Sequence, residues 1–257
     1  KNSFSGRTAS GSRMTELALV QVFETDSSCG VEAVTHVLPL LPKSQWRSKV
    51  FNMFHEAERV ISNDYSPTNY QCSTHTTLSV DGMGADELMR KVRKYSGVIF
   101  ALFRNRLANQ YCIGNPQLIV GNNDWENNLK FVVCRNKGYG IEFRLPSATA
   151  SVRDLQLRYE IFYELINFSI NHEGKSFGQF LKRVKPIIER IYSGDAEKVA
   201  KILDLSKRFQ NFILTGKVCS TIRPILEGQT ISHRNRVSRA GHFSSQYTTE
   251  CARAQRS

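Results

Sequence analysis

The sequence predicts an α+β fold: a curved, mainly antiparallel sheet with helices on one face, followed by a C-terminal helical subdomain. Three observations carry this expectation. Short stretches at 17–23, 31–35, 72–80, 130–135 and 140–145 alternate or are rich in β-formers, as half-buried strands do. From 151 to 214 the apolar residues recur at helical spacing instead. The change happens inside one stretch, 131–170, where Pro146 and the small residues Ser147, Ala148 and Thr149 end a strand, and Ser151 or Asp154 can cap a helix. A chain of 257 residues, 40% hydrophobic and 10% aromatic, has the means to bury a core.

Taken in order, residues 1–13 (KNSFSGRTASGSR) are small, polar and basic, and read as a flexible arm. LALVQVF (17–23) reads as a strand, 26–30 as a turn and 31–35 as a second strand, with Glu32 on the side opposite Val31, Ala33 and Thr35. Ser44 can cap a helix whose inner stripe is Trp46, Val50, Phe51, Phe54, Ala57, Val60 and Ile61. The strand at 72–80 contains one imidazole, His75. Asp81-Gly82-Met83-Gly84 then turns the chain into a helix from about Asp86, lined by Leu88, Val92, Tyr95, Ile99 and Leu102, with Arg104-Asn105-Arg106 at its end. After a loop at 109–128, the strand 130–135 pairs with 140–145 through the turn Asn136-Lys137-Gly138.

The first long helix has the stripe Leu155, Tyr159, Phe162, Ile166 and Ile170. The next, 177–192, repeats Phe180, Val184, Ile187, Ile188 and Ile191, and Pro186 is expected to kink or divide it. Residues 195–214 follow, with Val199, Ile202, Leu203 and Phe209 inward, and 215–228 close the helical part. The expected organisation is therefore an arm (1–13), a sheet domain (14–152), a helical subdomain (153–228) and a basic disordered tail (229–257).

Within the strand 141–145, Ile141, Phe143 and Leu145 share one face. Glu142 and Arg144 share the other, about 7 Å apart. The ordinary reading is an edge strand bearing an ion pair. Across strands, however, Glu32, His75, Glu142 and Arg144 all occupy positions that alternate away from apolar neighbours. Carboxylates and an imidazole so placed can ligate a divalent cation, and a guanidinium can clamp a phosphate. The ordinary alternatives are a half-buried, satisfied His75, an edge-strand Glu32 and an Arg106 that merely complements a helix C-terminus.

The succession DSSCGVEAVTH (26–36), CSTHTTLS (72–79), FRNRLANQYC (103–112) and IEFRLPSAT (141–149) resembles the amidoligase family, relatives of glutamine synthetase and glutamate–cysteine ligase. The likeness spans roughly residues 14–170. It implies an ATP- and magnesium-dependent carboxylate–amine ligase that forms an amide or peptide-like bond through an acyl phosphate, acting on small-molecule or peptide carboxylates and amines. It also implies roles: Glu32, His75 and Glu142 toward magnesium, His75 and Arg144 toward ATP phosphate, and Arg106 and Arg135 as further basic residues facing substrate or phosphate. The chain departs from the family pattern twice. The Gly-x-Glu-x-Glu strand that opens the family is not found, so it is expected upstream of Lys1 or the ligand set is reduced, and Thr77 stands where a second His belongs.

Charge and cysteines bound the alternatives. The net charge is +12 and the pI about 9.6, but the arm and the Arg-rich tail carry much of it, leaving about +5 for the middle. A nucleic-acid binder working through its basic ends is thus a weaker reading, as is an inactive relative of the family serving as an assembly or virion component. Six cysteines without a Cys-x-x-Cys pair indicate neither a zinc cage nor a disulfide framework, and are expected as reduced thiols in a cytoplasmic protein. No apolar run reaches the roughly 20 residues of a membrane helix.

Overall fold

A computed structural model describes residues 20–26, 30–35, 37, 38, 40, 48, 50–53, 55, 73–108, 112, 133–149 and 151–227. The arm, most of the 109–128 loop and the tail lie outside these, as do residues 130–132 of the strand expected at 130–135. The fold is α+β, and the chain divides into two compact units. Among the described residues no helix is long and apolar enough to cross a membrane.

In the first unit, β1 (Val20–Asp26) and β2 (Gly30–Thr35) pair antiparallel, with Glu24 opposite Glu32 and Asp26 opposite Gly30. Pairing thus runs three residues beyond the strand end expected at 23, because each further backbone pair adds ladder hydrogen bonds until the chain must turn. Residues 48, 50–53 and 55 are helical as expected. Val50 is buried. Phe51, expected on the same stripe, is 46% exposed and meets only the edge of the His55 ring among the described aromatic side chains. Neighbouring positions differ by about 100° around a helix, so Phe51 points well away from the direction of Val50.

The second unit holds the sheet β3-β5-β4, made of β3 (Thr76–Leu78), β4 (Cys134–Asn136) and β5 (Ile141–Phe143), all antiparallel. Its early helices are α1 (Ala85–Arg93) and α2 (Gly97–Leu102), followed by a 3-10 turn at Arg104–Arg106. Then come α3 (Val152–Asn171), which begins in the first unit, α4 (Phe177–Ile191), α5 (Ala196–Thr215) and the short α6 (Arg223–Leu226).

The single helix expected from Asp86 to Leu102 is broken at 94–96, and a glutamine from α5 accounts for the break. In a continuous helix the Gly97 N–H would bond the Arg93 carbonyl. Gln210 stands between them: its Oε1 accepts from Gly97 N at 2.9 Å, and its Nε2 donates to Arg93 O at 3.0 Å. A side chain inserted into the helical ladder satisfies both groups that the break would orphan. Residue 97 must be glycine, since a Cβ there would run into the Ser206 carbonyl and lie 2.8 Å from the Gln210 side chain. Around this joint the rings of Tyr95, Phe168 and Phe180 meet at centroid distances of 5.0–5.3 Å, and Phe100 meets Phe209 at 5.8 Å.

The caps follow local chemistry. Ser176 and Gln179 form a reciprocal capping box ahead of α4, and Asp195 accepts from Lys198 N at the start of α5. Gly216 ends α5 in the left-handed region at φ +72°. Of the two caps offered for α3, Ser151 takes the role, its hydroxyl accepting from Asp154 N at 3.2 Å.

Three expectations are corrected. Helix α4 runs unbroken through Pro186, which is exposed, so the carbonyl it leaves without a donor can face solvent. The buried stripe of α3 is Leu157, Ile161, Leu165 and Phe168 beside Phe162 and Ile166, while Leu155, Tyr159 and Ile170 are only half-buried. Apolar residues line more than one side of this helix, so periodicity alone left its rotation open. Leu203 and Ile191 are likewise half-buried.

Urea unfolding should show Gly97→Ala destabilised by about 1–3 kcal/mol through overpacking, and Gln210→Ala by about 1–3 kcal/mol through two unsatisfied backbone groups. Ser176→Ala should cost about 1 kcal/mol.

Candidate functional site

Strand β5 is the centre of its sheet and not an edge, so Glu142 has a strand on either side. The register sets Thr77 of β3 and Arg135 of β4 directly opposite it. Directly paired residues share a face, so Thr77, Glu142 and Arg135 form one polar row. Thr77 is exposed at one end of the row and Arg135 is half-buried at the other, while Glu142 between them is only 6% exposed.

Arg144 continues β5 beyond its last paired residue, its N–H donating to Val133 O at 2.8 Å. Beyond it the ladder gains a residue: three positions, 144–146, face only two, 74 and 75, before Ser73 pairs with Ser147. Pro146 lies in this extra length, and its carbonyl accepts from Thr74 N at 3.0 Å.

The β4–β5 turn is equally determined. Gly138 has φ +82°, its N–H donates to Asn136 Oδ1 at 2.6 Å, and Asn136 Nδ2 donates to Asp86 Oδ1 of α1 at 2.6 Å. Lys137 N donates to Gly140 O at 2.9 Å. The turn so tied places Lys137 beside the carboxylate.

Both oxygens of Glu142 are engaged by cations. Arg144 Nη1 donates to Oε1 at 2.6 Å, and Lys137 Nζ stands 3.4 Å from Oε2. Burial alone would push this carboxyl up. The Arg144 hydrogen bond and charge, aided by His75 and Lys137, outweigh it and hold the group below the usual carboxylate range. The expected ion pair therefore exists, but it lies buried on a central strand. An antiparallel strand on each side, with helices and loops in addition, explains why neither residue looks freely out of the sheet.

Arg106 is 8% exposed, not a solvated charge at a helix end, and its carbonyl accepts from Cys112 Sγ at 3.2 Å. Burial pushes the Cys112 thiol up, against the opposing pull of Arg106 and Arg144, so both guanidinium groups come close to this sulfur. Arg135 and Arg144 also carry buried Nε–H donors that meet no acceptor among the described residues. One carboxylate thus has Arg144 and Lys137 at its oxygens, Arg135 across the ladder and His75 near it, while Arg106 and Arg144 both act on the Cys112 sulfur. Such a face offers N–H donors and positive charge to an oxyanion.

Of the residues singled out from the sequence, the structure brings together His75, Arg106, Arg135, Glu142 and Arg144 in the second unit. Glu32 lies on β2 of the first unit, opposite Glu24, and its side chain is outside those described. Among the described residues no three His, Cys, Asp or Glu side chains form a group able to hold a metal ion. On this face the donor set fits an oxyanion and does not by itself fit magnesium. Lys137 and Cys112 were not foreseen. The first had a signal, since 135 and 137 alternate as 142 and 144 do across the same hairpin. The second sits in a loop without periodicity and had none. Comparison of the chain with protein-family models, curated proteins and solved structures found no match.

Because its pKa is lowered on folding, Glu142 contributes stability that is complete above the ordinary value of about 4.5 and is lost as the pH falls through the lower folded value. Acid titrations followed by near-ultraviolet circular dichroism should therefore show a shallower loss of stability below about pH 4.5 in Glu142→Gln than in the unmodified chain.

Proposed function

We propose that the chain is an ATP-dependent carboxylate–amine ligase in which the β3-β5-β4 face receives phosphoryl oxygens. The observation that carries this reading is the half-buried Arg144 held at 2.6 Å by the buried Glu142, with Lys137 on the other carboxylate oxygen and Arg135 directly across the ladder. A carboxylate is a poor acylating agent. Transfer of the γ-phosphoryl group forms a bond from a carboxylate oxygen to phosphorus while the bond from phosphorus to ADP breaks. The amine nitrogen then attacks the acyl carbon, phosphate leaves with the electron pair, and the amine proton passes to solvent. Charge spreads over the phosphoryl oxygens during the first step, and fixed guanidinium donors stabilise it there.

In this reading Arg144 and Arg135 hold the transferred group, Arg106 and Lys137 add positive charge, and His75 lies at the margin of the site. Magnesium, which this chemistry uses to neutralise the triphosphate, is assigned no step on this face. The β3-β5-β4 sheet is curved with helices on one side, and residues 153–228 form a helical subdomain. The substrates are small-molecule or peptide carboxylates and amines.

The test is ADP release by the full chain with ATP, magnesium and a panel of amino acids and short peptides. Arg144→Ala and Arg135→Ala should each lower it about 100-fold. Unchanged turnover in Arg144→Ala would end the ligase assignment.

A further inference from the structure

We infer that the polar row of β3-β5-β4 binds a phosphate-class oxyanion directly, without a divalent cation, and that Glu142 positions Arg144 and Lys137 for that ligand instead of ligating metal. The inference rests on the ligand class of the proposed function but departs from the role that the family resemblance implies for Glu142.

Three features support it. First, a metal ligand must present a lone pair to the ion, yet each Glu142 oxygen already faces a protein cation, at 2.6 Å and 3.4 Å. Second, the surroundings are wrong for a cation and right for an anion. Arg135 lies directly across the ladder from Glu142, Arg144 two residues along, and Lys137 stands at the second carboxylate oxygen. A divalent ion entering here would meet three positive groups for one carboxylate and be repelled on balance, whereas an oxyanion meeting the same groups would be attracted. Third, the buried Nε–H donors of Arg135 and Arg144 meet no acceptor among the described residues, and leaving a buried donor unmade is costly. An oxyanion supplies several acceptor oxygens at once.

Glu142 is needed because guanidinium and ammonium groups gathered without a counter-charge would repel one another. Its carboxylate offsets part of that repulsion and fixes the Arg144 side chain. It is a positioning residue, acting through Arg144.

The probe is inorganic pyrophosphate, titrated calorimetrically into the full chain with EDTA present, alongside Mn2+ titrated alone and followed by its electron paramagnetic resonance signal. Pyrophosphate should bind in EDTA. Arg144→Ala and Arg135→Ala should each weaken it about tenfold or more, as expected for charge-assisted hydrogen bonds. Lys137→Ala, a change at a partly exposed turn residue, should weaken it several-fold, and Lys201→Ala on the exposed side of α5 should leave it unchanged. Glu142→Gln should weaken pyrophosphate and Glu142→Asp should restore much of the loss, while Mn2+ affinity stays the same in both.

Pyrophosphate binding that appears only when a divalent ion is added overturns the inference, as does a loss of Mn2+ binding in Glu142→Gln. Should Glu142→Gln fail to fold, equal pyrophosphate affinity in Lys137→Ala, Arg135→Ala and the unmodified chain overturns it just as well. Metal-free pyrophosphate binding of this pattern in a chain that releases no ADP removes the ligase reading and leaves the inference standing. ADP release with metal-dependent pyrophosphate binding does the opposite.

Discussion

The ion pair of Glu142 with Arg144 is the constraint on which the site depends. Two residues apart on the central strand, they share a face by backbone geometry, and both are largely removed from solvent. A carboxylate buried alone would take up a proton. The neighbouring guanidinium reverses that tendency, and Lys137 and His75 act in the same direction. Buried pairs of this kind contribute little net stability, because desolvation offsets most of the attraction. What they supply is geometry: a charged group whose direction is fixed before any ligand arrives.

The backbone around the pair is arranged to keep it in place. On one side the β4–β5 turn is tied by Asn136 to Asp86 of α1. On the other, the extra residue at 144–146 ends regular pairing just past Arg144. Gly140 belongs to the same arrangement, since a Cβ there would lie 2.5 Å from the Leu78 carbonyl. Strands of three residues are too short to hold a register by themselves. Here the turn, the bulge and a glycine contact hold it, and a slip of one residue would send Glu142 to the apolar face.

A polar side chain has a comparable part in the helical region of the second unit. Gln210 closes both broken ends of the α1–α2 joint, so a helix from late in the chain decides where an early one stops. The carboxamide suits this because it carries a donor and an acceptor at one end, matching the carbonyl and N–H that the joint exposes.

Alternation and helical spacing in the amino-acid sequence determined the α+β class, the pairing of β4 with β5 through their turn, the helices from 152 to 215 and the Glu142–Arg144 pair. These are local consequences of side-chain period and capping chemistry. Tertiary structure alone decided that β5 is central, that Arg106 is buried, that Lys137 and Cys112 join the cluster, that α3 turns Leu157 and Ile161 inward, and that the helix after Gly84 breaks at Gly97. Each of these depends on a partner far away in the chain, and neither propensity nor periodicity carries information about which distant group will arrive.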